Sequence, residues 1–454
     1  MKMLRLALTI LPASFLLSCA GTSPFVPAVH LNAAGDDVVN VRDFGARGDG
    51  STDDTAALIA AVNQINSLGN ASSALYFAPG TYVINPLYGM KPHFGLLLTA
   101  SNVEIYGDRA TIALDSRGKP YDQQLNVPAN TTFYWNYFEV RGSHVNVHDL
   151  TFDSRSMTTT GGYRGTNGMF WASALDINGT PNTMQSDNTV HNNRFVSLGG
   201  WAVNGSYENN LVIDRNYANH SEGMGCGGQV YGCTITNNVS ENGLDAHYFS
   251  NGYTHAGSQN QNVLISGNIA EGNSNGSGID VTASWDTVVE NNTVSANANW
   301  CILVGKTWGP YKQDGPILPS QRVTVKNNTC TKNGWYQGWP MNSEIFVGEQ
   351  YAENWNPGDV ASDITVQANT VSSQNAQGRG VVVGYGTARV TIDNNELSGC
   401  ASACIAPVIR IAETGTDTLS VTNNHQDKQF ATTYIYLGKI GPYTVSGNDM
   451  LVHQ

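Results

Sequence analysis

The amino-acid sequence predicts an all-β protein, a right-handed parallel β-helix with an N-terminal capping helix. Three observations predict this fold: a strand motif that recurs at the length of one solenoid coil, an asparagine at a fixed place after that motif, and an N-terminal segment with helical spacing. We expect a single β-helix domain over residues 38–454, because the repeat continues through most of that length.

The repeat reads apolar, any residue, apolar, two residues, asparagine. Leu211–Ile213 precedes Asn216 in this way, and Val263–Ile265 precedes Asn268. Successive asparagines lie 22 to 41 residues apart, and the steps of 22 to 24 match one coil without an insertion. The apolar residues point into the core, and we expect the stacked asparagines to form a hydrogen-bonded ladder inside the solenoid. The ten asparagines in register are Asn193, Asn216, Asn238, Asn268, Asn292, Asn328, Asn369, Asn395, Asn424 and Asn448.

The N-terminal part of the domain has a different pattern. The run Thr52–Thr55 predicts the cap of a helix over Asp53–Asn66, which would cover the open end of the solenoid. Strands are predicted over Ala74–Phe77 and Thr81–Ile84, on either side of a turn at Ala78–Gly80. The apolar face of the helix consists of Ala57, Leu58, Ala61, Val62 and Ile65.

Residues 1–18 predict a lipoprotein-type export signal, with a positively charged start and an apolar stretch too short to span a bilayer. Leu16–Ala20 is similar to the lipobox of bacterial lipoproteins, in which the cysteine, here Cys19, becomes the lipidated first residue. We expect an exported protein held at the outer membrane by this lipid, with residues 19–37 as a linker. An ordinary signal peptide, giving a secreted or periplasmic protein, is the alternative.

The charge of the chain argues against a nucleic-acid partner. The formal net charge is −13, and removal of residues 1–18 takes away two positive charges and leaves about −15. Nucleic-acid binding needs basic stripes that release counterions from phosphate, and this composition does not supply them.

Six cysteines remain besides the lipobox cysteine, an even number that is compatible with disulfide bonds in an exported chain. The sequence leaves the pairing open, because six cysteines allow fifteen connectivities. Cys301 and Cys330 in particular are left unassigned. The pairs close enough in sequence to staple a loop are Cys226 with Cys233 and Cys400 with Cys404.

The N-terminal motifs resemble those of the pectate-lyase-like superfamily. These motifs are Arg42–Ala46, Gly48–Gly50, Asp53–Thr55 and Ala78–Tyr82, and together with the asparagine register the similarity covers residues 38–450. The superfamily includes rhamnogalacturonase-type hydrolases, mannuronan C5-epimerases and phage tailspike proteins. The resemblance implies three short sheets per coil and action on long carbohydrate polymers, so we expect a polysaccharide as the partner. It leaves the oligomeric state open, since some relatives form trimers.

Two carboxylates stand out as candidate catalytic groups. Gly243–Ala246 and Gly278–Val281 share the pattern Gly, apolar, Asp, apolar, which predicts that Asp245 and Asp280 face outward as direct neighbours on adjacent coils. Two close carboxyl groups cannot both ionise freely, so one can act as a general acid and the other as a base or nucleophile. His247, two residues further on, would lie on the same face and handle a proton or tune the pair.

The same acids permit other interpretations. A ladder of aspartates can be a solvated turn, and Asp176, Asp245 and Asp280 together could hold Ca²⁺, which prefers oxygen ligands. We expect no required cofactor, with Ca²⁺ as the alternative. Glu222 is a second acidic candidate, but the neighbouring glycine favours a polar bend.

Aromatic side chains gather along the same stretch, where exposed rings could stack on sugars, whereas basic side chains are scarce there. We expect half of the aromatic residues to fill the core instead. The predicted substrate-binding residues are Trp201, Tyr248, Trp300, Lys306 and Trp308.

Our leading hypothesis for the reaction is hydrolysis of a polysaccharide by Asp245 and Asp280. Lyase or C5-epimerase activity on a uronic-acid polymer is the first alternative. The epimerase motif Asp-Pro-His-(Asp/Glu) is matched only in part by Asp245–Tyr248, which lacks the proline and the second acid, and the polygalacturonase constellation is missing. A non-catalytic glycan-binding or adhesion protein is the other alternative.

Overall fold

We describe the fold from a computed structural model of the chain. The described residues are 30–31, 37–85, 93–114, 132–154, 169–252, 259–306, 318–336, 342–349, 360–373, 379–398, 409–411, 418–426, 434–438 and 441–453. The predicted export signal and linker, including Cys19, therefore lie outside the described residues apart from a short strand at His30–Leu31 and residue 37.

The strands form a parallel β-helix, which confirms the predicted fold class. Each complete coil contributes one strand to each of three sheets, and every strand pair is parallel except that of His30–Leu31 with Asp37–Asn40. The first sheet contains Asp37–Asn40, Ser73–Phe77, Thr189–His191, Asn260–Ser266, Ser284–Glu290, Gln321–Lys326, Ala361–Gln367, Thr387–Asp393, Leu419–Thr422 and Tyr443–Ser446.

The second sheet follows the asparagine of each coil, and the third sheet completes the coil. The second sheet contains Asp49–Asp53, Gly80–Ile84, Arg194–Val196, Tyr217–Asn219, Val239–Gly243, Ile269–Asn273, Thr293–Asn297, Thr329–Thr331, Thr370–Ser372, Glu396–Ser398 and His425–Gln426. The third sheet contains His93–Leu98, Thr132–Val140, Met169–Asn178, Tyr248–Asn251, Ile279–Thr282, Ile302–Gly305, Ile345–Val347, Val381–Val383, Ile409–Ile411, Tyr434–Leu437 and Leu451–His453.

Some strands are long enough to belong to two sheets. Val103–Leu114 and Asn146–Asp153 join the first sheet to the second, while Trp201–Asp214 and Glu222–Thr236 join the third to the first. The short strand Gln185–Ser186 pairs with Trp201–Asp214.

A helix at Thr55–Leu68 packs against the first coils, as predicted, but begins two residues later than expected. Leu58, Ala61, Val62 and Ile65 of its apolar face are buried, and Ala57 is partly buried. Asp54 stands at the N-cap position without capping the helix through its side chain. Its carboxylate instead accepts the backbone N–H groups of three residues in the preceding turn and the next strand, namely Arg47, Gly48 and Val83. A short 3-10 helix at Val41–Phe44 precedes this region.

The asparagine ladder is present over all ten predicted positions. The Oδ1 atom of each later asparagine accepts from the backbone N–H and the Nδ2 of the one before it, for example from Asn216 to Asn238 at 2.8 and 3.0 Å. The Nδ2 of Asn216 also donates to the carbonyl of Val190, one coil away. Because these side chains are buried, except for the partly exposed Asn448 at the end, the ladder satisfies backbone groups that water cannot reach.

Two disulfide bonds lie within the described residues. Cys226 pairs with Cys233, as the sequence suggested, and Cys301 pairs with Cys330, which the sequence left open. All four are buried. The predicted pair Cys400–Cys404 lies outside the described residues. Among the helices that the structure describes, none combines the length and apolar character needed to cross a membrane.

A carboxyl cluster at the third sheet

The outward face of the third sheet carries the polar residues that the sequence pointed to. Alternate residues of its strands enter the core, as Ile279 and Val281 do, while Asp280 between them faces out. Strand register places one outward residue of each coil in a continuous line along the solenoid. This line reads Glu139, Asp176, Asn204, Gly225, Phe249, Asp280, Leu303, Phe346 and Val382.

Three acidic residues from consecutive coils form what we name the carboxyl cluster: Glu222, Asp245 and Asp280. Burial raises the pKa of Asp245 to about 6, against the opposing hydrogen bond from the backbone N–H of Ala246. Burial, and then the negative charge of Asp245, raise the pKa of Asp280 to about 7. Burial and the Asp245 charge also hold the pKa of Glu222 well above its usual value. The three groups are therefore electrostatically coupled and differ in how readily they ionise.

Local backbone geometry explains why the Asp245 carboxyl is sheltered. Its Oδ1 atom lies 2.5 Å from the place that a Cβ atom would occupy at Gly276, on the next coil. Glycine is thus required for this close approach. The Oδ1 atom of Asp280 is also buried and has no hydrogen-bond partner among the described residues. A buried carboxyl oxygen without a partner makes ionisation of the group costly, in agreement with the raised pKa of Asp280.

The predicted pairing of Asp245 directly opposite Asp280 is wrong. The residue opposite Asp280 on the preceding coil is Phe249, and Asp245 lies in the turn before the strand Tyr248–Asn251. The shared Gly-apolar-Asp pattern is misleading because the turns that precede the two strands differ in length. Asp245 nevertheless remains close enough to raise the pKa of Asp280.

His247 and Tyr248 do not face outward from the third sheet. His247 is 1 % exposed, its Nδ1 is 2.7 Å from the Ser240 hydroxyl, and burial lowers its pKa to about 4 despite an opposing hydrogen bond with Asn297. It is therefore a neutral interior residue and not the exposed proton carrier that the sequence suggested. Tyr248 is fully buried and donates its hydroxyl to the Ile269 carbonyl. The predicted outward positions are wrong because His247 lies in the turn before the strand Tyr248–Asn251, with its ring against Gly243, and Tyr248 points inward like its register partner Ile279.

The predicted calcium site of Asp176 with Asp245 and Asp280 is also contradicted by the register. Asp176 lies four strand steps from Asp280 on the outward line, about 19 Å at the usual spacing. Its carboxylate accepts from Asn136 at 3.1 Å and Asn204 at 2.9 Å, and burial raises its pKa to about 6. Asp176 therefore belongs to a separate polar group.

In the part of the chain that the structure describes, one group of three potential metal ligands comes together, Cys301, Cys330 and Glu344. Its two cysteines are joined in a disulfide bond, so their sulfur atoms are not thiolate ligands.

Of the predicted substrate-binding residues, Trp201 lies at the cluster. It is opposite Glu222 in register, is partly exposed, and its ring centroid is 6.2 Å from that of Phe249. Trp300 is instead 1 % exposed and stacks on Phe346 at 5.3 Å, so it is a packing residue.

Lys306 does not offer a free cation to substrate. It is 7 % exposed, and its Nζ atom is 3.7 Å from a carboxylate oxygen of Glu349. A cation buried in this way needs such an opposite charge nearby. The predicted role of Trp308 concerns a residue outside the described ranges.

Glu222 is the residue that sequence reasoning undervalued. It does not lie in a polar bend but begins the long strand Glu222–Thr236, and it is 2 % exposed. The sequence signal that could have identified Glu222 was its position at the start of a strand, one coil ahead of Asp245. The adjacent Gly223 gives no reason for a bend, since its neighbours are extended in the same strand.

The family profile described as rhamnogalacturonase A/epimerase, pectate lyase-like, matches residues 38–302, more than half of the chain. The chain belongs to this family. The part of the chain that matches the profile includes the helix Thr55–Leu68 and all three residues of the carboxyl cluster. The match confirms the superfamily that the N-terminal motifs suggested.

A curated relative is mannuronan C5-epimerase AlgE2 of Azotobacter vinelandii, 29 % identical over 261 residues. The alignment covers 55 % of this family member and 24 % of the relative, so the chain spans about a quarter of that protein.

Solved structures agree on the fold. The A-module of mannuronan C-5 epimerase AlgE6 from A. vinelandii superposes with a TM-score of 0.66 at 19 % identity, covering 91 % of this chain and 99 % of the other. An exopolygalacturonase from Thermotoga maritima gives 0.58 at 13 % identity, covering 88 % and 94 %. At these identities the likeness shows the parallel β-helix alone.

Proposed function

We propose that this protein hydrolyses glycosidic bonds of a polysaccharide at the carboxyl cluster. The observation that carries this proposal is the cluster itself, in which carboxyl groups from consecutive coils lie close enough that the charge of Asp245 raises the pKa of both Asp280 and Glu222. Glycoside hydrolysis needs one carboxyl group that holds a proton and one that has lost it, at the same pH. The cluster provides one carboxyl group of each kind near neutral pH.

In the proposed reaction Asp280 is the general acid. It donates its proton to the glycosidic oxygen as the bond from that oxygen to the anomeric carbon breaks. Asp245, ionised, either removes a proton from the water that attacks the anomeric carbon or attacks that carbon itself, and water then releases the sugar. Burial and the charge of Asp245 raise the pKa of Glu222, which favours its protonated form and limits the negative charge beside Asp245.

The test is digestion of a glycan panel by the parent and by the variants Asp245→Asn and Asp280→Asn. We expect new reducing ends from the parent without unsaturated products, and a loss of at least about 100-fold in kcat in each variant. Asp286→Asn is the matched control, because Asp286 is a surface residue that pairs with Arg322 at 2.5 Å. Unsaturated products, or full activity in both cluster variants, would contradict the proposal.

The panel is run with and without a chelator, because a role for Ca²⁺ stays a prediction. Under our proposal the chelator leaves the reaction unchanged, since the two carboxyl groups perform the proton transfers. Loss of activity on chelation, restored by added Ca²⁺, would instead assign the cluster to metal binding.

A second candidate function is C5-epimerisation of a uronic-acid polymer, favoured by the 29 % identity to mannuronan C5-epimerase AlgE2. The interior position of His247 weighs against it, because a buried neutral imidazole does not reach a substrate carbon. Epimerisation changes the configuration of mannuronan without producing reducing ends. NMR spectra of the polymer before and after incubation separate it from hydrolysis.

We also propose that the protein is exported and anchored in the outer membrane through Cys19, which follows from the lipobox-like Leu16–Ala20. In a Gram-negative host, the full chain should fractionate with the outer membrane. Cys19→Ala should release it from the membrane fraction, whereas Ser18→Ala keeps the cysteine and should not. Membrane association of Cys19→Ala equal to the parent would contradict the anchor.

A further inference from the structure

Two large aromatic side chains stand exposed on the coils that follow the carboxyl cluster. Trp335 is 49 % and Tyr336 48 % exposed, in contrast to the buried rings of Trp300 and Tyr248. Both are held by the neighbouring coil: the Trp335 indole N–H donates to the Ala296 carbonyl at 3.2 Å, and the Tyr336 backbone N–H donates to the Ala298 carbonyl at 2.9 Å. The rings are thus presented on fixed backbone.

The two rings share the corner between the second and third sheets with Asp245. The Asp245 carboxyl lies against Gly276 on the next coil, and the Gly276 carbonyl accepts from the backbone N–H of Asn299 on the coil after that. Tyr336 binds beside Asn299, at Ala298. Trp335 and Tyr336 therefore lie three coils from Asp245, about 14 Å along the solenoid axis.

The alternative path away from the cluster is closed. Beyond Asp280, the outward line of the third sheet continues with Leu303, Phe346 and Val382, which are 0–4 % exposed and pack with Trp300 in a separate apolar cluster. A polymer that extends from the cluster toward the C-terminal coils cannot lie on this buried surface. Among the described residues, the exposed way from the cluster runs along the corner, where Asn275 leads to the two rings.

We propose that Trp335 and Tyr336 form a stacking subsite for a pyranose ring of the bound polysaccharide. The apolar C–H face of a sugar packs on an aromatic ring, whose area and rigidity favour such contacts. The subsite rests on the proposed function for its substrate, but it binds sugar without taking part in bond cleavage. It therefore affects affinity and KM, not the proton transfers at Asp245 and Asp280.

The test measures binding in the inactive Asp280→Asn background by affinity electrophoresis in gels that contain mannuronan, polygalacturonate or dextran. Where Asp280→Asn is retarded, adding Trp335→Ala or Tyr336→Ala should weaken binding about fivefold to tenfold. Tyr336→Phe should bind as Asp280→Asn alone does, because stacking needs the ring and not the hydroxyl. Tyr443→Ala is the matched control, since Tyr443 is 44 % exposed but lies in the last first-sheet strand, far from the cluster.

Any of three results would overturn the subsite. They are equal weakening of binding by Tyr443→Ala, no weakening of binding by Trp335→Ala or Tyr336→Ala, and no retardation of Asp280→Asn in any of the gels. In otherwise wild-type protein, Trp335→Ala should raise KM on a digested polymer with kcat unchanged. The two proposals fail separately. If the ring variants bind more weakly but Asp280→Asn is fully active, the subsite stands and the catalytic assignment is rejected. If Asp280→Asn is inactive but the ring variants bind normally, the catalytic assignment stands and the subsite is rejected.

Discussion

Asp245 and Asp280 receive different pKa values from the same kind of environment. Both are raised by burial, but Asp280 also experiences the charge of Asp245. Once Asp245 ionises, its charge opposes ionisation of Asp280, so the second proton is retained to higher pH. The coupling itself therefore divides the two roles, and neither residue alone would provide both.

This division predicts a narrow, bell-shaped dependence of kcat/KM on pH. Activity should rise as Asp245 loses its proton around pH 6 and fall as Asp280 loses its proton around pH 7, with the maximum between these values. Initial rates between pH 4 and 10 on a digested polymer measure the profile, and Asp286→Asn should leave it unchanged. Activity that continues to rise to pH 9 would exclude Asp280 as the acid.

Sequence reasoning identified two of the three cluster residues because aspartates next to strand apolar residues are unusual enough to be noticed. It did not identify their geometry. The position where each third-sheet strand begins depends on turn length, which no local pattern specifies, and residues before that start do not follow the alternation of the strand. His247 lies in such a turn and packs against Gly243 in the interior, and Glu222 begins a strand where the sequence favoured a bend.

At the level of elements, the asparagine turn shows why a sequence pattern can predict a ladder but not its backbone. The left-handed residue is not the ladder asparagine but the one before it, for example Asn192 at φ 55°, Arg215 at 51° and Ala368 at 52°. The ladder asparagine is selected for its side-chain hydrogen bonds. The recurring Asn-Asn pairs thus combine two requirements, a residue that tolerates positive φ and then a ladder member.

The ladder predicts a graded cost of removing its members. Asn292→Ala leaves the backbone N–H of Asn268 and the carbonyl of Ile265 without partners in the interior, and should lower the free energy of unfolding by roughly 3 kcal/mol. Asn448→Ala at the partly exposed end of the ladder should cost roughly 1 kcal/mol, because water reaches its partners. Urea unfolding of both variants measures this, and equal losses would contradict the proposed dependence on burial.

For the whole molecule, the sequence predicted the architecture well because one coil repeats and the pattern is averaged over ten copies. The cap was also recognised, although the helix Thr55–Leu68 begins later than the predicted Asp53 since Asp54 binds the preceding turn instead. Long-range contacts without a repeat were not predictable. The disulfide bond between Cys301 and Cys330 and the pairing of Lys306 with Glu349 join segments whose spacing is set by insertions.

The interior also holds two glutamates in places where a neutral side chain would be expected. Glu208 accepts from the backbone N–H and Nδ2 of Asn188, and Glu344 accepts in the same way from Asn333. Both are fully buried. Burial raises the pKa of each to about 8, although the asparagine hydrogen bonds oppose the shift. Each carboxyl group therefore folds in its protonated form at neutral pH.

These two groups make the stability of the protein depend on pH over a defined range. In the unfolded chain a glutamate has a pKa near 4.5, so between pH 4.5 and 8 the folded state holds more protons and the free energy of unfolding falls as pH rises. Above pH 8 the loss from these groups is complete. The double variant Glu208→Gln/Glu344→Gln removes both titrations. Its free energy of unfolding should fall less with rising pH than that of the parent, by on the order of a few kcal/mol between pH 5 and 9. Urea unfolding at pH 5, 7 and 9 measures both proteins, and parallel pH dependences would show that these carboxyl groups do not hold protons in the fold.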